Sequence, residues 1–221
     1  MNTGRPPAAP SSRRRLLSPA TWRPLSTGLW FSGALLAGSA VESALPPGPG
    51  AALRAWASTN LENLRHHPLP AIAVSPFLPD GYAWLWVALA LIGLAAAGRV
   101  LGAGRTAILV VAAHVLATLA SEGILAARIA AGAVPPEARH VVDVGPSYVV
   151  VAALVAAIAY GTWPGRLVSA AAFAVIAPHL FAGLDDWGVA ETGHGCAVVI
   201  GLALGFVLRR RRPAAAAEPI T

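Results

Sequence analysis

Charged residues are scarce in this chain of 221 amino acids: 12% are Asp, Glu, Lys or Arg, whereas 56% are apolar. The mean hydropathy is correspondingly high, at +0.63. A soluble globule of this size needs more polar groups than these to cover its surface. The scarcity of charge therefore excludes a soluble domain and predicts an integral membrane protein, whose first partner is the lipid bilayer.

Cysteine is nearly absent, and lysine is absent altogether. The single Cys196 excludes an internal disulfide and a cysteine-based metal site, so we interpret it as a small packing residue. His66, His67 and His179 lack the spacing of metal ligands, and no metal or cofactor is expected. All 16 basic residues are arginines, and nine of them lie within residues 1–23 and 209–212, beside the first and last apolar runs. This distribution favours contact with anionic lipid headgroups over binding of nucleic acid.

Long apolar runs fill the interior of the sequence. A membrane-spanning helix needs about 20 predominantly apolar residues, and six runs come close to that length. They predict an all-α integral membrane protein with a bundle of six transmembrane helices, at residues 25–45, 82–97, 106–126, 146–163, 167–184 and 193–208. The membrane domain at 24–209 would lie between a disordered, basic cytoplasmic arm at 1–23 and a basic cytoplasmic tail at 210–221.

The arginines also predict the orientation of the helices. With a cytoplasmic N-terminus, 12 of the 16 arginines fall in cytoplasmic segments and four in outer loops. Since positive charge is enriched on the cytoplasmic side of membrane proteins, both termini are expected inside. The run at 25–45 has an alternative reading as a cleaved signal peptide. It exceeds the usual apolar core of ~7–15 residues, however, and its removal would leave five spans.

Two polar residues lie at similar depth in the predicted bundle, Ser147 at the outer end of the fourth span and His194 at the outer end of the sixth. An ionisable residue inside a membrane is costly and by default faces the interior of the bundle. A histidine within hydrogen-bond reach can take the proton of an attacking serine. The pair therefore predicts a nucleophile and its general base, although a serine at a helix start is more often a cap. Asp143 is interpreted as the cap of the fourth span or as a partner of Arg139.

Small residues on the last span would allow close helix packing. Gly201 and Gly205 form a G-x-x-x-G step, which lets a neighbouring helix approach closely. His114, midway along the third span, has two readings. It is either bonded to a neighbouring helix or the relay residue of a small transporter.

These motifs resemble those of the rhomboid family of intramembrane serine proteases, and in particular its divergent, actinobacterial-type members. The resemblance covers roughly residues 25 to 210. Gly145-Pro146-Ser147-Tyr148 is similar to the family's Gly-x-Ser-Gly, and His194 with Gly201 and Gly205 is similar to its last-helix pattern. Leu101-Gly102-Ala103-Gly104-Arg105 is similar to its Leu-Gly-x-Gly-Arg/Lys turn. The resemblance implies a protein of the bacterial plasma membrane in which Ser147 attacks a peptide carbonyl and His194 is the base. The substrate would be a single-pass membrane protein, cut near the outer end of its transmembrane helix.

The chain also departs from the family pattern. Tyr82 and Trp86 stand where the family has the His-x-x-x-Asn pair that helps to hold the oxyanion, and losing one oxyanion donor can cost ~10²–10³ in rate. Tyr148 replaces the glycine after the nucleophile. Tyr82, Gly145 and Tyr148 are the candidates for oxyanion binding or support. The departures keep open an alternative function, that of a catalytically inactive rhomboid-like protein that binds or escorts membrane helices.

Overall fold

The computed structural model describes residues 22–210. Within this range the chain forms helices and turns, without strands. The α-helices are α1 (Ser26–Ala44), α2 (Pro47–Ala57), α3 (Leu61–His66), α4 (Pro68–Val74), α5 (Ala83–Leu101), α6 (Ala103–Ala130), α7 (Ser147–Tyr160), α8 (Trp163–Leu180) and α9 (Val189–Arg210). Short 3-10 helices lie at Arg23–Leu25, Ser75–Phe77 and Pro136–His140. Most of the predicted arm and tail lies outside the described residues.

Each of the six predicted apolar runs corresponds to one helix, but the bounds differ. By length and hydropathy, three helices of the described range qualify as candidate membrane spans, namely α5, α6 and α9. The third run, predicted at 106–126, is part of the 28-residue helix α6. The fourth run is shorter than predicted, because α7 has only 14 residues. The length of α6 and the shortness of α7 both bear on the candidate site.

The surface of the bundle is largely apolar, unlike that of a soluble protein, and several polar side chains lie buried inside its mainly apolar core. Large apolar side chains are exposed along the helices, with Trp30 81% exposed and Val175 73% exposed. Ser121, Glu122 and Ser169 are buried instead. Lipid can solvate the exposed apolar groups, whereas backbone and side-chain polar groups must be satisfied inside. The helices therefore form a bundle suited to a membrane.

Successive long helices run in opposite directions. At one end of the bundle, which we call the site end, α7 and α9 begin and α6 finishes. Arg128 near the end of α6 donates hydrogen bonds of 3.1 and 3.0 Å to the carbonyls of Asp186 and Trp187, which precede α9. At the opposite end the Thr27 hydroxyl, at the start of α1, donates to the carbonyl of Ala103 at 3.0 Å. The short helices α2 to α4 lie at the site end.

Helix α7 is the centre of the bundle. Its residues 148–157 are all buried, and it packs against α5, α6, α8 and α9. An uninterrupted apolar sequence suits this position, since the helix has no face that meets water. Gly201 of α9 lies at the crossing with α7, where a Cβ atom would come 2.9 Å from the Cα of Ala152. At Gly205 a Cβ atom would come 2.8 Å from the ring of Tyr160.

A partly buried ion pair holds the α2 segment at the site end. The guanidinium of Arg54 contacts the carboxylate of Glu42 at the end of α1, and it also donates to the carbonyl of Pro79 before α5. Both charged side chains are largely shielded from solvent. Arg54 therefore links α2 to the end of α1 and to the segment before α5.

Candidate functional site

Ser147 is the first residue of α7 and is partly buried. The two residues before it form a tight turn into the helix. Gly145 has a φ of +130°, a value that side chains disfavour, and its N–H donates to the carbonyl of Ser75 at 2.9 Å. Pro146 is the N-cap residue. Among residues 22–210, no side chain caps the backbone N–H groups at the start of α7, beside the Ser147 hydroxyl.

Both predicted roles of Asp143 are wrong, because it neither caps α7 nor pairs with Arg139. Its carboxylate accepts hydrogen bonds from the Tyr148 hydroxyl at 3.0 Å and the Thr59 hydroxyl at 3.2 Å. Its backbone N–H donates to the Ser58 hydroxyl at 2.9 Å. Burial raises the pKa of Asp143, and the hydrogen bonds from Tyr148 and Thr59 act in the opposite direction. The residue therefore ties the segment before α3 to the start of α7.

His194 is buried in the first turns of α9, and one of its ring nitrogens is committed to the backbone. Nδ1 lies 2.7 Å from the carbonyl oxygen of Leu180, at the end of α8. Since a carbonyl can only accept, Nδ1 carries the proton of this bond. In the neutral ring Nε2 then has the free lone pair, which is the form that a general base needs.

Aromatic rings hold the imidazole of His194 from two sides. The ring of Tyr148 meets it edge-on with centroids 5.4 Å apart, and the ring of Phe181 does so at 6.1 Å. Tyr148 lies so close to α9 that a Cβ atom at Gly193 would come 2.2 Å from the Tyr148 hydroxyl oxygen. Tyr148 therefore fills the space beside His194 while its hydroxyl is bonded to Asp143.

The structure brings some of the predicted site residues together and leaves others apart. Tyr148, Gly193 and His194 are in contact, but among residues 22–210 there is no hydrogen bond between Ser147 and His194. Tyr82 is 72% exposed, and its ring lies against that of Trp84 with centroids 6.0 Å apart. The Trp86 indole, at the other position of the family's polar pair, donates to the carbonyl of Asp80 at 2.8 Å.

His114 is bonded to a neighbouring segment, as one of its two readings predicted. Its Nε2 lies 3.1 Å from the carbonyl of Ile72 and 3.2 Å from the hydroxyl of Ser75. These contacts join α6 to the end of α4. Within the described residues, no group of three or more His, Cys, Asp or Glu side chains has an arrangement that could hold a metal ion.

Sequence reasoning missed the groups that position Asp143 and His194. Thr59 and Glu62 have the spacing of a capping box, which predicts a helix cap, whereas the cap is Asn60 and the partner of Ser58 and Thr59 lies more than 80 residues later in the chain. The acceptor for His194 is a backbone carbonyl, which any residue at position 180 supplies. A signal did exist for Phe181, since it is an aromatic residue near the end of the fifth apolar run.

Fold and site together define a class. It is a helical membrane protein whose central helix begins with a serine and whose last helix carries a buried histidine in its first turns. The model of the family described as rhomboid-like protein matches residues 23–214. The chain therefore belongs to the rhomboid-like family. It matches no curated protein sequence and no solved structure.

Proposed function

We propose that the chain is an intramembrane serine endopeptidase with Ser147 as nucleophile and His194 as general base. Six helices, α1 and α5 to α9, would cross the bacterial plasma membrane with both termini in the cytoplasm. The observation that carries the proposal is the tautomer of His194, which a hydrogen bond fixes. Its Nδ1 is bonded to the Leu180 carbonyl, so that Nε2 is the nitrogen free to accept a proton.

The chemistry would follow from these groups. Ser147 Oγ attacks the carbonyl carbon of the scissile peptide and passes its proton to His194 Nε2. The oxyanion accepts hydrogen bonds from the backbone N–H groups of the first turn of α7, which have no side-chain cap. His194 then protonates the leaving amine, and water hydrolyses the ester to Ser147 by the same steps in reverse order. This route needs neither Tyr82 nor a carboxylate bonded to the histidine.

The length of α7 supports cleavage near the outer end of a substrate helix. Its 14 residues rise about 21 Å, which is less than the ~30 Å hydrocarbon core. Trp163 is 69% exposed just after α7, as befits an aromatic residue at a membrane interface. If that end of α7 lies at the cytoplasmic interface, Ser147 lies about 9 Å below the outer edge of the hydrocarbon core.

One observation favours a second candidate function. Because Ser147 and His194 share no hydrogen bond among the described residues, a non-catalytic protein that binds or escorts membrane helices also fits the site. The absence of the family's His-x-x-x-Asn pair points the same way. The two functions differ in one property, which is the reactivity of the Ser147 hydroxyl.

A cleavage assay separates the two candidates. The purified chain in nanodiscs is mixed with a fluorescent single-pass reporter, and Ser147 is titrated with a fluorophosphonate probe. The protease predicts labelling, and it predicts that Ser147→Ala and His194→Ala each reduce cleavage by about 10⁴-fold or more. Ser169→Ala is the matched control, because Ser169 is buried in α8 and its hydroxyl has no hydrogen-bond partner among the described residues. No cleavage and no labelling of the wild type, with the reporter still co-purifying, would favour the binder.

A further inference from the structure

Two arginines at the site end lack a carboxylate partner in the described part of the chain. The other arginines of this end, Arg54 and Arg128, are bonded to protein groups. Arg65 of α3 makes no ion pair, and Arg139 uses its Nε to donate to the carbonyl of Pro136 at 2.8 Å. The terminal nitrogens of both guanidinium groups are therefore free to bind another acceptor.

Both arginines line the same cavity, which has a volume of about 310 Å³. The other lining residues are Leu61, Glu62, Ala126 and Ile129. A second cavity of about 370 Å³, with Glu137 and His140 in its wall, adjoins the first at Glu62 and Arg139. The first cavity, which we call the arginine cavity, thus combines two cationic groups with an apolar floor contributed by α6.

The floor of the arginine cavity continues the lipid-facing side of α6. Ala126 follows Ile108 by 18 residues, which is five full turns, so both lie on one side of the helix. Leu119 lies on the same side. Ile108 is 57% exposed and Leu119 is 51% exposed. An apolar path therefore leads from the cavity along the surface of α6.

The length of α6 gives the depth of the cavity in the membrane. Its 28 residues rise about 42 Å, compared with a hydrocarbon core of ~30 Å and a bilayer of ~40–45 Å with headgroups included. Ala126 and Ile129 belong to the last turn and a half of this helix. With α6 centred along the bilayer normal, they would lie at the level of the phospholipid headgroups, with the apolar path below them in the acyl region.

We propose that the arginine cavity binds a membrane phospholipid, with its phosphate between Arg65 and Arg139 and its first acyl carbons against Ala126 and Ile129. Guanidinium groups suit a phosphate because their planar N–H donors match its oxygens in pairs. Glu62 in the wall can accept a hydrogen bond from a hydroxyl or ammonium of the headgroup. The lipid would join α3 to the end of α6 and to the 3-10 helix Pro136–His140. This role does not depend on Ser147 or on proteolysis.

Native mass spectrometry of the full chain, released from detergent, tests the proposal. The ligands are phosphatidylglycerol, a diacylglycerol with the same acyl chains and inorganic phosphate. The wild type is expected to retain one phosphatidylglycerol at least about 10-fold more tightly than diacylglycerol. The double variant Arg65→Gln/Arg139→Gln is expected to lose about 10-fold or more in affinity. Arg99→Gln is the matched control, because it removes one positive charge at the opposite end of the bundle.

Four results would overturn the proposal. Equal retention by the double variant and by Arg99→Gln would mean that the lipid binds elsewhere. Equal retention of diacylglycerol and phosphatidylglycerol by the wild type would mean that the arginines do not bind the phosphate. Displacement of the lipid by inorganic phosphate would identify a small-anion site instead. Ala126→Trp, which fills the floor and leaves both arginines, is expected to weaken phosphatidylglycerol binding, and an unchanged affinity would also contradict the proposal.

Discussion

The two glycines that flank His194 should respond in opposite ways to the same substitution. At Gly193 a Cβ atom would come 2.2 Å from the hydroxyl oxygen and 2.3 Å from Cζ of Tyr148. At Gly195 a Cβ atom would meet nothing within 4 Å. Tyr148 cannot simply swing away from the new methyl group at position 193, because it is 3% exposed and its hydroxyl is bonded to Asp143.

The expected magnitudes follow from these surroundings. Extra volume in a packed core costs about 1–3 kcal/mol, whereas replacing glycine by alanine within a helix gains about 0.5–1 kcal/mol. Gly193→Ala should therefore lower the free energy of unfolding by about 1–2 kcal/mol, and Gly195→Ala should raise it by about 0.5–1 kcal/mol. At about 2–4 °C per kcal/mol for a chain of this size, the two variants should differ by several degrees in thermal midpoint.

Thermal unfolding in mild detergent, followed by far-UV circular dichroism, measures this difference. Each variant is compared with the wild type at the same pH and detergent concentration. If the proposed dyad is active, Gly193→Ala should also reduce cleavage, because displacing Tyr148 removes one of the two rings that hold His194. Equal midpoints for Gly193→Ala and Gly195→Ala would refute the reasoning, since they would show that Tyr148 does not occupy the space against α9.

Two further predictions concern carboxylates. Burial raises the pKa of Asp143, so the folded chain holds this proton more tightly than the unfolded chain does. Stability should therefore rise as the pH falls through the folded pKa and level off below the ordinary aspartate range, and Asp143→Asn should remove that slope from a series of thermal midpoints. The second compares Glu42, which is paired with Arg54, and Glu122, whose buried oxygens have no hydrogen-bond partner of good geometry in the described part of the chain. Glu42→Gln should lower the free energy of unfolding by about 1 kcal/mol and Glu122→Gln should not, and a larger loss in the Glu122 variant would contradict this.

The helical membrane fold could be predicted because lipid imposes a simple requirement on the sequence. Each of the six apolar runs coincides with a helix of the described range. The extent of α6 was underestimated, since its polar residues interrupt the hydropathy. Glu122 faces the interior of the bundle, and Arg128 turns toward backbone carbonyls of the loop before α9. The composition of the sequence does not show which way either side chain points.

The candidate site was harder to predict, because backbone groups and distant side chains position it. Asp143 resembles a helix cap in sequence, but its partners include Thr59, which is 84 residues away. The proton on His194 Nδ1 is held by the carbonyl of Leu180, and a carbonyl is common to all residue types. Tyr148 was a candidate only through its place beside Ser147. Its contact with Gly193 depends on how α7 and α9 cross.

The central position of α7 has a consequence for the order in which the bundle assembles. Helices α5 and α6 precede it in the chain and α8 and α9 follow it, and it packs against all four. Its 14 residues are too few to span the hydrocarbon core. During synthesis, the four helices that pack against α7 are therefore all present only when α9 has been made. A chain that stops before α9 would leave one side of α7 unpacked and would lack His194, so an incompletely synthesised chain can contain Ser147 but never the full site.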